Sequence, residues 1–427
     1  MISDHVPSAL TLATRVVPIT APGVTWRTTV TVIGQDEDQG RAARTRRPTG
    51  QGAILLAGSC LPILGSVLLA PVLPRMMEAF ATTAGVEVLV PIVLTAPALM
   101  IGLLAPFAGR LVDAAGRKRV LVVALVVYAL FGTAPLYLDS LGAIVGSRVG
   151  VGICEAAIMT ACTTMLADLF DGTARDRWFA RQTIATTLAA TVFFGLGGAL
   201  GAVSWRAPFV LYASSLVIAA LVVMFVRDTG RTPAAALPPI PWRLIAVPCA
   251  VTLFGGIVFY TPIAMLSLVL ASVGVTSTAT IGLVSAIASL ATAAGGFTFG
   301  RVARRGPAVL LPVAVALAGV GLVVVGISSS VAVIAVGAVI ASAGTGLLLP
   351  TLLTWALSGL GFAERGRGTG MWTAAMFIGQ FFCPLVLLAV AVPLGGLSGA
   401  VLALGVVTAL FAGVAPLIVR RAVAQRA

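Results

Sequence analysis

The sequence predicts an all-α polytopic membrane protein with twelve transmembrane helices in two six-helix bundles. Of its 427 residues, 59% are hydrophobic and only 10% are charged, whereas soluble domains carry about 25% charged residues. The apolar residues form long continuous runs, each close to the roughly 20 residues that a helix needs to cross a bilayer. A membrane β-barrel is not favoured, because its strands alternate apolar and polar residues over about ten positions.

The distribution of basic residues supports the count of twelve. A net charge of +13 would suit a nucleic-acid-binding protein. With twelve helices, however, 24 of the 27 Lys and Arg residues fall in the two tails or in alternate loops. Lys and Arg accumulate on the cytoplasmic side of membrane proteins. The pattern therefore predicts a multi-pass protein of the inner (plasma) membrane with both termini in the cytoplasm, and no nucleic-acid partner.

The first half of the chain predicts a tail followed by six helices. Residues 1–51 are polar and of mixed charge, which predicts a disordered cytoplasmic tail. The N-terminal bundle follows at 52–226. Its apolar runs predict helices at 52–73, 86–108, 120–137, 141–166, 180–203 and 207–226.

The second half repeats this organisation. Residues 227–242 carry charges and four prolines, which predicts a cytoplasmic linker. The C-terminal bundle follows at 243–419, and 420–427 form a basic cytoplasmic tail. The apolar runs of this bundle predict helices at 243–271, 279–300, 307–327, 331–358, 368–390 and 395–418.

A charged turn separates the second and third helices. Residues 109–121 read Gly-Arg-Leu-Val-Asp-Ala-Ala-Gly-Arg-Lys-Arg-Val-Leu, and so many charges cannot lie in hydrocarbon. Gly109 and Gly116 permit a tight reversal and close helix approach. Asp113 can accept from a helix N-terminus or from Arg117 and Arg119. On charge alone, a plain basic loop that sets the topology is the favoured interpretation.

The spacing of this turn resembles the signature loop of the major facilitator superfamily, and the chain is similar to the twelve-helix drug:proton antiporters of that superfamily. The shared pattern is G-x-x-x-D-x-x-G-R-K-R-x-L between the second and third helices. The resemblance implies that Gly109, Asp113, Gly116 and Arg117 form a conformational latch. It also implies two pseudo-symmetric halves with a substrate site between them near the midplane.

Two ionisable residues lie well inside a predicted membrane helix. Arg148 and Glu155 are seven positions apart, so they lie on one face of the fourth helix. Intramembrane charge is costly and marks candidate functional residues. The stretch from Arg148 to Gly152 resembles the R-x-x-x-G pattern of proton-coupled members, which implies that Glu155 binds the coupled proton and that Arg148 tunes it. The alternative is a structural ion pair, or a neutral acid that joins helices.

Aromatic residues dominate the candidate cavity lining. Aromatic walls with few polar groups suit a moderately lipophilic molecule, cations included, and the scarcity of Asn, Gln and charged residues counts against a sugar. Alternatively, these side chains pack the bundle or face lipid. The candidates are Phe254, Phe259, Tyr260, Trp355, Trp372, Phe377, Gln380 and Phe381.

The sequence offers little for other chemistry. The five cysteines all lie in apolar segments, and the single histidine, His5, lies outside the membrane region. We therefore expect no metal site, no cofactor and no catalytic residues, and hence no enzyme.

These observations and the resemblance together predict a secondary active transporter. It would act by alternating access as a monomer in the bilayer, exporting a small molecule in exchange for protons in the manner of drug efflux. An uptake symporter or facilitator remains open, in which Arg148 would bind an organic anion. A membrane enzyme or a non-transporting sensor is the other alternative.

Overall fold

The computed structural model describes residues 14–21, 24–31, 48–228, 242–361 and 364–424. The chain forms two units, Met1–Gly50 and Gln51–Ala427. Within the described residues, twelve helices are long and apolar enough to cross a membrane. This confirms the predicted all-helical membrane fold and its helix count.

The first six helices begin and end close to the predicted positions. They are α1 Thr49–Ala79, α2 Val86–Ala115, α3 Arg117–Leu136, α4 Leu141–Leu169, α5 Gly172–Val203 and α6 Ala207–Phe225. α1 is not continuous. Its first segment ends at Ser59, a second runs over Leu61–Val67, and a 3-10 turn at Ala70–Val72 precedes the last.

The remaining helices form the second half. They are α7 Trp242–Ala264, α8 Thr278–Arg305, α9 Pro307–Ile327, α10 Val331–Leu357, α11 Arg365–Ala391 and α12 Leu397–Ala422. A short helix at Leu266–Ser272 extends α7 after one residue. The helical backbone of α12 continues to Ala424. Arg420 and Arg421 therefore lie on a helix, and not in the tail predicted at 420–427.

Several helices extend beyond the apolar runs that predicted them. α2 continues to residue 115 where 108 was predicted, and α5 starts at 172 where 180 was predicted. Charged residues cannot enter hydrocarbon, but they are good helix formers in water. A helix that projects from the membrane therefore keeps its backbone hydrogen bonds after its apolar stretch ends. The predicted loop between α2 and α3 reduces to Gly116 alone.

Helix contacts show the pseudo-symmetry of the two halves. In the first half α1 packs on α5, α2 on α4, and α3 on both α4 and α6. In the second half α7 packs on α11, α8 on α10, and α9 on both α10 and α12, which are the same pairs shifted by six helices. The halves meet where α2 packs on α11 and where α5 packs on α8. The shift by six helices converts each of these two pairs into the other.

The two ends of the helical unit are distinguishable. Lys118 at the start of α3 donates from Nζ to the Val223 carbonyl near the end of α6, at a distance of 3.1 Å. We call this the basic end, because the α2–α3, α4–α5 and α8–α9 turns lie there. At the opposite, distal end, Arg206 donates to Asp139 Oδ1 at 2.7 Å between the α5–α6 and α3–α4 connections.

The N-terminal unit contains a β-hairpin that the sequence analysis did not predict. Strands β1 (Thr14–Ala21) and β2 (Val24–Thr31) pair antiparallel, with Thr14 opposite Thr31. Both strands are rich in β-branched residues, which favour extended backbone. Over these residues the structure therefore differs from the expected disordered tail. Most of the predicted linker, 229–241, lies outside the described residues.

Candidate functional site

A cavity of about 290 Å³ lies between the two halves of the helical unit. α1 and α5 contribute its wall on one side, and α7, α8, α10 and α11 on the other. None of its lining residues is Asp, Glu, Lys, Arg or His. The first half supplies Ile63, Ser66, Val67, Thr186, Thr187, Ala190 and Phe194. The second half supplies Phe259, Tyr260, Pro262, Ile263, Ser285, Ala288, Ser289, Thr292, Ser342, Leu349, Trp372, Met376, Phe377 and Gln380.

Five of the eight predicted cavity residues are in this lining. They are Phe259, Tyr260, Trp372, Phe377 and Gln380. The structure thus brings four of the predicted aromatic residues, two from α7 and two from α11, to one chamber together with Gln380.

The other three predicted cavity residues lie elsewhere. The Phe254 ring packs on Phe411 of α12 at 5.4 Å between centroids, and Phe381 packs on Phe382. Trp355 is fully buried in the core of the second half. Helix periodicity explains the first two cases. Two side chains five positions apart on a helix differ in direction by about 140°, so Phe254 and Phe259 point to different sides of α7. Neighbouring side chains differ by about 100°, which separates Phe381 from Gln380 on α11.

The two walls of the cavity differ in their free hydrogen-bonding groups. In the first half, the hydroxyls of Ser66, Thr186 and Thr187 each donate to a backbone carbonyl of their own helix, four residues back. In the second half, the buried indole Nε1 of Trp372 has no partner. Since an indole N–H can only donate, Trp372 is a lining residue with an unused donor in this structure.

The distal end of the cavity is sealed by contacts between the halves. Tyr260 Oη donates to the Ser66 carbonyl at 2.8 Å, joining α7 to α1. Thr278 Oγ1 donates to the Gly198 carbonyl at 3.0 Å, joining α8 to α5. A Cβ on Gly198 would lie 2.9 Å from Gly282 Cα, so the two backbones touch only because both residues lack side chains.

Arg148 and Glu155 lie in the core of the first half, and both are fully buried. Arg148 Nη2 donates to Tyr212 Oη at 2.6 Å, and its guanidinium lies over the Tyr212 and Phe209 rings. Its Nε and Nη1 have no hydrogen-bond partner. The two charged residues share a helix face as predicted, but they make no ion pair with each other within 4.0 Å.

Glu155 instead contacts α3 and α1. Its Oε1 lies 3.4 Å from Tyr128 Oη, and Tyr128 Oη also donates to the Leu61 carbonyl at 2.8 Å. A Cβ on Gly65 would overlap Glu155 Oε1, so the carboxyl group packs directly on the α1 backbone. Glu155 Oε2 has no hydrogen-bond partner.

Neither charged residue lines the cavity, and α1 stands between Glu155 and the cavity. The α1 segment Leu61–Val67 contacts Glu155 at Gly65 and lines the cavity with Ile63, Ser66 and Val67. Arg148 accordingly does not reach a bound molecule in this arrangement. This placement disfavours the alternative in which Arg148 binds an organic anion.

The predicted latch residues meet at the basic end. Arg117 donates from Nε to Asp113 Oδ1 at 2.8 Å and from Nη1 to Asp168 Oδ2 at the end of α4. Gly116 has φ 93°, a conformation that favours glycine, and it forms the reversal between α2 and α3. Gly109 faces open space, so helix packing does not require a glycine there.

Sequence reasoning missed four residues that complete these sites: Gly65, Tyr128, Asp168 and Tyr212. The chain has only four tyrosines, and three of them are fully buried around the cavity and Glu155. That scarcity is the one available signal, because a buried tyrosine hydroxyl requires a polar partner. Among the described residues, no cluster of His, Cys, Asp or Glu is placed to hold a metal ion.

Comparisons with known proteins agree with this architecture. The family model of the Major Facilitator Superfamily matches residues 55–273. The tetracycline resistance protein, class H, of Pasteurella multocida is 28% identical over 179 residues, which are 42% of this chain and 44% of that protein. Multidrug resistance protein 1 of Bacillus subtilis is 30% identical over 188 residues, 42% of this chain and 46% of that protein. The matched region thus spans less than half of these relatives.

Solved structures match over most of the chain. A bacterial homologue of the human lysosomal transporter Spinster, in an inward-facing and occupied conformation, gives a TM-score of 0.70 at 15% identity and covers 91% of this chain and 97% of that one. The human organic anion transporter MFSD10 gives 0.65 at 19% identity, covering 87% and 100%. At such identities the likeness concerns the fold alone.

Proposed function

The chain belongs to the Major Facilitator Superfamily and is a multi-pass membrane transporter, and we propose that it exports a small, moderately lipophilic molecule in exchange for protons. The observation that carries this proposal is the α1 segment Leu61–Val67. One side of it lines a charge-free cavity, and the other side packs on a buried carboxyl group. A proton site and a substrate site on one short segment provide a physical basis for coupling.

The cavity wall favours an uncharged or weakly basic lipophilic substrate. Aromatic and aliphatic side chains make up most of its surface, and no lining carboxylate is present to neutralise a strong cation. A molecule in this cavity gains from burial of its apolar surface. The tetracycline and multidrug resistance relatives support export, although they match over less than half of their length.

The proton site is Glu155, with Arg148 as the neighbouring positive charge. A carboxylate in a dry protein interior is costly and takes up a proton readily, whereas a nearby guanidinium opposes that uptake. Their balance permits loading and release as water access changes. In the present arrangement the distal end is sealed by the contacts of α1 with α7 and of α5 with α8. Opening that end and closing the basic end would complete alternating access in the inner membrane.

The test is proton-driven transport by the purified protein in proteoliposomes. Suitable probes are chloramphenicol as an uncharged lipophilic molecule, tetraphenylphosphonium as a lipophilic cation and benzoate as an organic anion. An imposed pH gradient should drive the uncharged probe uphill in the wild type. The Glu155→Gln variant should only equilibrate it, because the amide cannot exchange a proton. As a control, Asp171→Asn changes an exposed carboxylate at the basic end and should accumulate the probe normally.

Three results would contradict the proposal. If Glu155→Gln accumulates the probe as well as the wild type does, Glu155 is a structural residue. If the wild type only equilibrates the probes under every gradient, the protein is a facilitator. Uphill movement of benzoate alone would favour uptake or exchange of organic anions.

A further inference from the structure

We propose that the single hydroxyl proton of Tyr128 transmits the protonation state of Glu155 to α1, an inference that rests on the proposed function and specifies how its two sites communicate. Tyr128 is a positioning residue in this scheme, since it contacts neither substrate nor solvent. Its hydroxyl lies between two acceptors, the Leu61 carbonyl at 2.8 Å and Glu155 Oε1 at 3.4 Å.

A phenol hydroxyl carries one proton and donates one strong hydrogen bond at a time. In the structure the shorter bond is made to Leu61, which is the arrangement expected while Glu155 is protonated and neutral. When Glu155 loses its proton, the carboxylate becomes the better acceptor, because charge-assisted hydrogen bonds are about twice as strong as neutral ones. The hydroxyl then turns towards Glu155, and the Leu61 carbonyl loses its side-chain partner.

Leu61 occupies the position in α1 that is most sensitive to such a change. It is the first residue of the segment Leu61–Val67, directly after the break at Cys60. Pro62 follows it and has no N–H to contribute to the helix. Releasing the Leu61 carbonyl therefore removes the bond that holds the start of this segment to α3, directly beside the hinge at Cys60.

The hinge is connected to both the cavity and the distal seal. Ile63, Ser66 and Val67 of the same segment line the cavity. The Ser66 carbonyl accepts the hydrogen bond from Tyr260 that joins α1 to α7 at the distal side. A tilt of this seven-residue segment thus changes the cavity wall and the seal together, which proton-coupled alternation requires.

Other ionisable groups surround Glu155, and Tyr260 among them also bonds α1, at the Ser66 carbonyl. Of these groups, Tyr128 is the one that hydrogen-bonds both Glu155 and α1. Tyr212 bonds Arg148 on the far side of the Tyr128 ring, at 5.2 Å between ring centroids. Five groups interact electrostatically with Glu155. They are Arg148 and Cys154 on α4, Tyr128 on α3, Tyr212 on α6 and Tyr260 on α7. Tyr212 therefore provides a matched control, a buried tyrosine of the same network without a bond to α1.

The experiment measures the conformation as a function of pH, with the proton as the only ligand. Spin labels are attached at Thr82→Cys and Thr276→Cys, two exposed distal-end positions in the α1–α2 and α7–α8 connections. The five native cysteines, all within membrane helices, are replaced by alanine. Distance distributions between the labels are recorded by double electron–electron resonance in nanodiscs from pH 5 to pH 9.

We expect the wild type to shift its distance distribution with pH and Glu155→Gln to lose that shift. Tyr128→Phe should also lose the shift although the Glu155 carboxyl group still titrates. Tyr212→Phe removes the hydrogen bond of Arg148 but no bond to α1, so it should keep the shift and change only the pH at which the shift occurs. A retained shift in Tyr128→Phe would overturn the Tyr128 proposal while leaving coupling at Glu155 intact. A wild type without any shift, or a Glu155→Gln variant that keeps it, would overturn coupling at Glu155 and the Tyr128 proposal together.

Loss of the fold is a separate cause of a missing shift, and it is detectable. Tyr128→Phe removes one oxygen atom and retains the ring that packs beside Tyr212. Its thermal unfolding and its equilibrative uptake of chloramphenicol should remain close to those of Tyr212→Phe. A Tyr128→Phe protein that equilibrates the probe normally, but has lost both the pH response and uphill transport, supports the proposal. If that variant has also lost equilibrative uptake, the hydroxyl acts as a structural group and the proposal is overturned.

Discussion

Arg148 and Glu155 illustrate how single residues carry function at a cost in stability. Each is fully buried, and each keeps polar atoms without a hydrogen-bond partner. A charge removed from water without a direct counter-ion is expensive. Arg148 is offset only by one hydroxyl and two aromatic faces, an arrangement that cation–π attraction stabilises by about 2 kcal/mol when desolvated. A purely structural pair would be expected to make a direct contact, which these two do not.

Trp372 gives a prediction about substrate recognition. Trp372 lines the cavity and its buried indole N–H has no hydrogen-bond partner, so replacing it with phenylalanine removes a donor while keeping an aromatic wall. One hydrogen bond contributes about 1 kcal/mol net, so Trp372→Phe should weaken binding of an acceptor-bearing probe about fivefold. The measurement is the KM for chloramphenicol in proteoliposomes.

The chain supplies a matched control for this prediction. Trp355 also has an unpartnered, buried indole Nε1, but it lies in the core of the second half and outside the cavity. Trp355→Phe should therefore leave the KM unchanged. Equal effects of the two substitutions would mean that the change at position 372 acts through packing and not through the donor.

The sequence predicted residues on one helix better than partners on different helices. The spacing of seven correctly placed Arg148 and Glu155 on one face of α4, because helical periodicity is local. The tyrosines that contact them come from α3 and α6, at sequence separations of 27 and 64. No local pattern encodes such a contact, so Tyr128, Tyr212 and Gly65 could be recognised only after the helices were packed.

At the scale of elements, the α2–α3 turn joins three helices through one arginine. Arg117 begins α3, and its side chain binds Asp113 near the end of α2 and Asp168 near the end of α4. The sequence analysis offered Arg117 as one of several partners for Asp113, whereas it did not identify Asp168, which is 51 residues away from Arg117. Motion of α2 or α4 at the basic end must therefore alter this ion-pair network.

Asp168→Asn should weaken that network without unfolding the protein. Arg117 is largely buried and keeps its bond to Asp113, so we expect the free energy of unfolding to fall by about 1 kcal/mol. The initial rate of transport should fall by a larger fraction than the free energy of unfolding. The reason is that the Arg117–Asp168 contact lies at the basic end, which must open and close during transport. Thermal unfolding in detergent and the initial rate of probe uptake measure the two effects.

Asp171→Asn serves as the comparison. Asp171 lies three residues after Asp168 and forms an ion pair with Arg175. The Asp171 side chain, however, is 94% exposed. Exposed ion pairs contribute little, so both stability and transport should match the wild type. If Asp168→Asn also matches the wild type in transport, the Arg117 contacts set the fold of the turn and do not control the conformational cycle.

At the scale of the whole molecule, the weak sequence repeat becomes a clear structural symmetry. In the sequence, residues 300–306 (Gly-Arg-Val-Ala-Arg-Arg-Gly) occupy in the second half the place of 109–116 in the first, but they are one residue shorter and have Arg304 in place of the aspartate. Helix contacts repeat with a shift of six helices, because the packing depends on helix length and on small residues at crossings and not on particular side chains. Gly198 and Gly282 form such a crossing between the halves. Fold class was therefore predictable from composition, whereas the cavity depended on which helix faces meet.

The orientation in the membrane is the last prediction and determines the direction of transport. Basic turns at one end predict that this end is cytoplasmic. An impermeant maleimide should therefore label Thr276→Cys in intact cells, and should label Ala174→Cys only after permeabilisation. Both positions are exposed and lie at opposite ends of the helical unit. The parent protein, whose cysteines all lie within membrane helices, is the control for background labelling.

The result bears directly on the proposed mechanism. The structure is sealed at the distal end by the Tyr260–Ser66 and Thr278–Gly198 hydrogen bonds. If the distal end faces outward, the cavity in this structure cannot exchange substrate with the outside. Glu155 is then protonated in the part of the cycle that precedes substrate loading from the cytoplasm. If labelling shows the reverse orientation, the same seal faces the cytoplasm. The cycle would then have to load substrate from outside, and uptake would replace export as the function that the geometry supports.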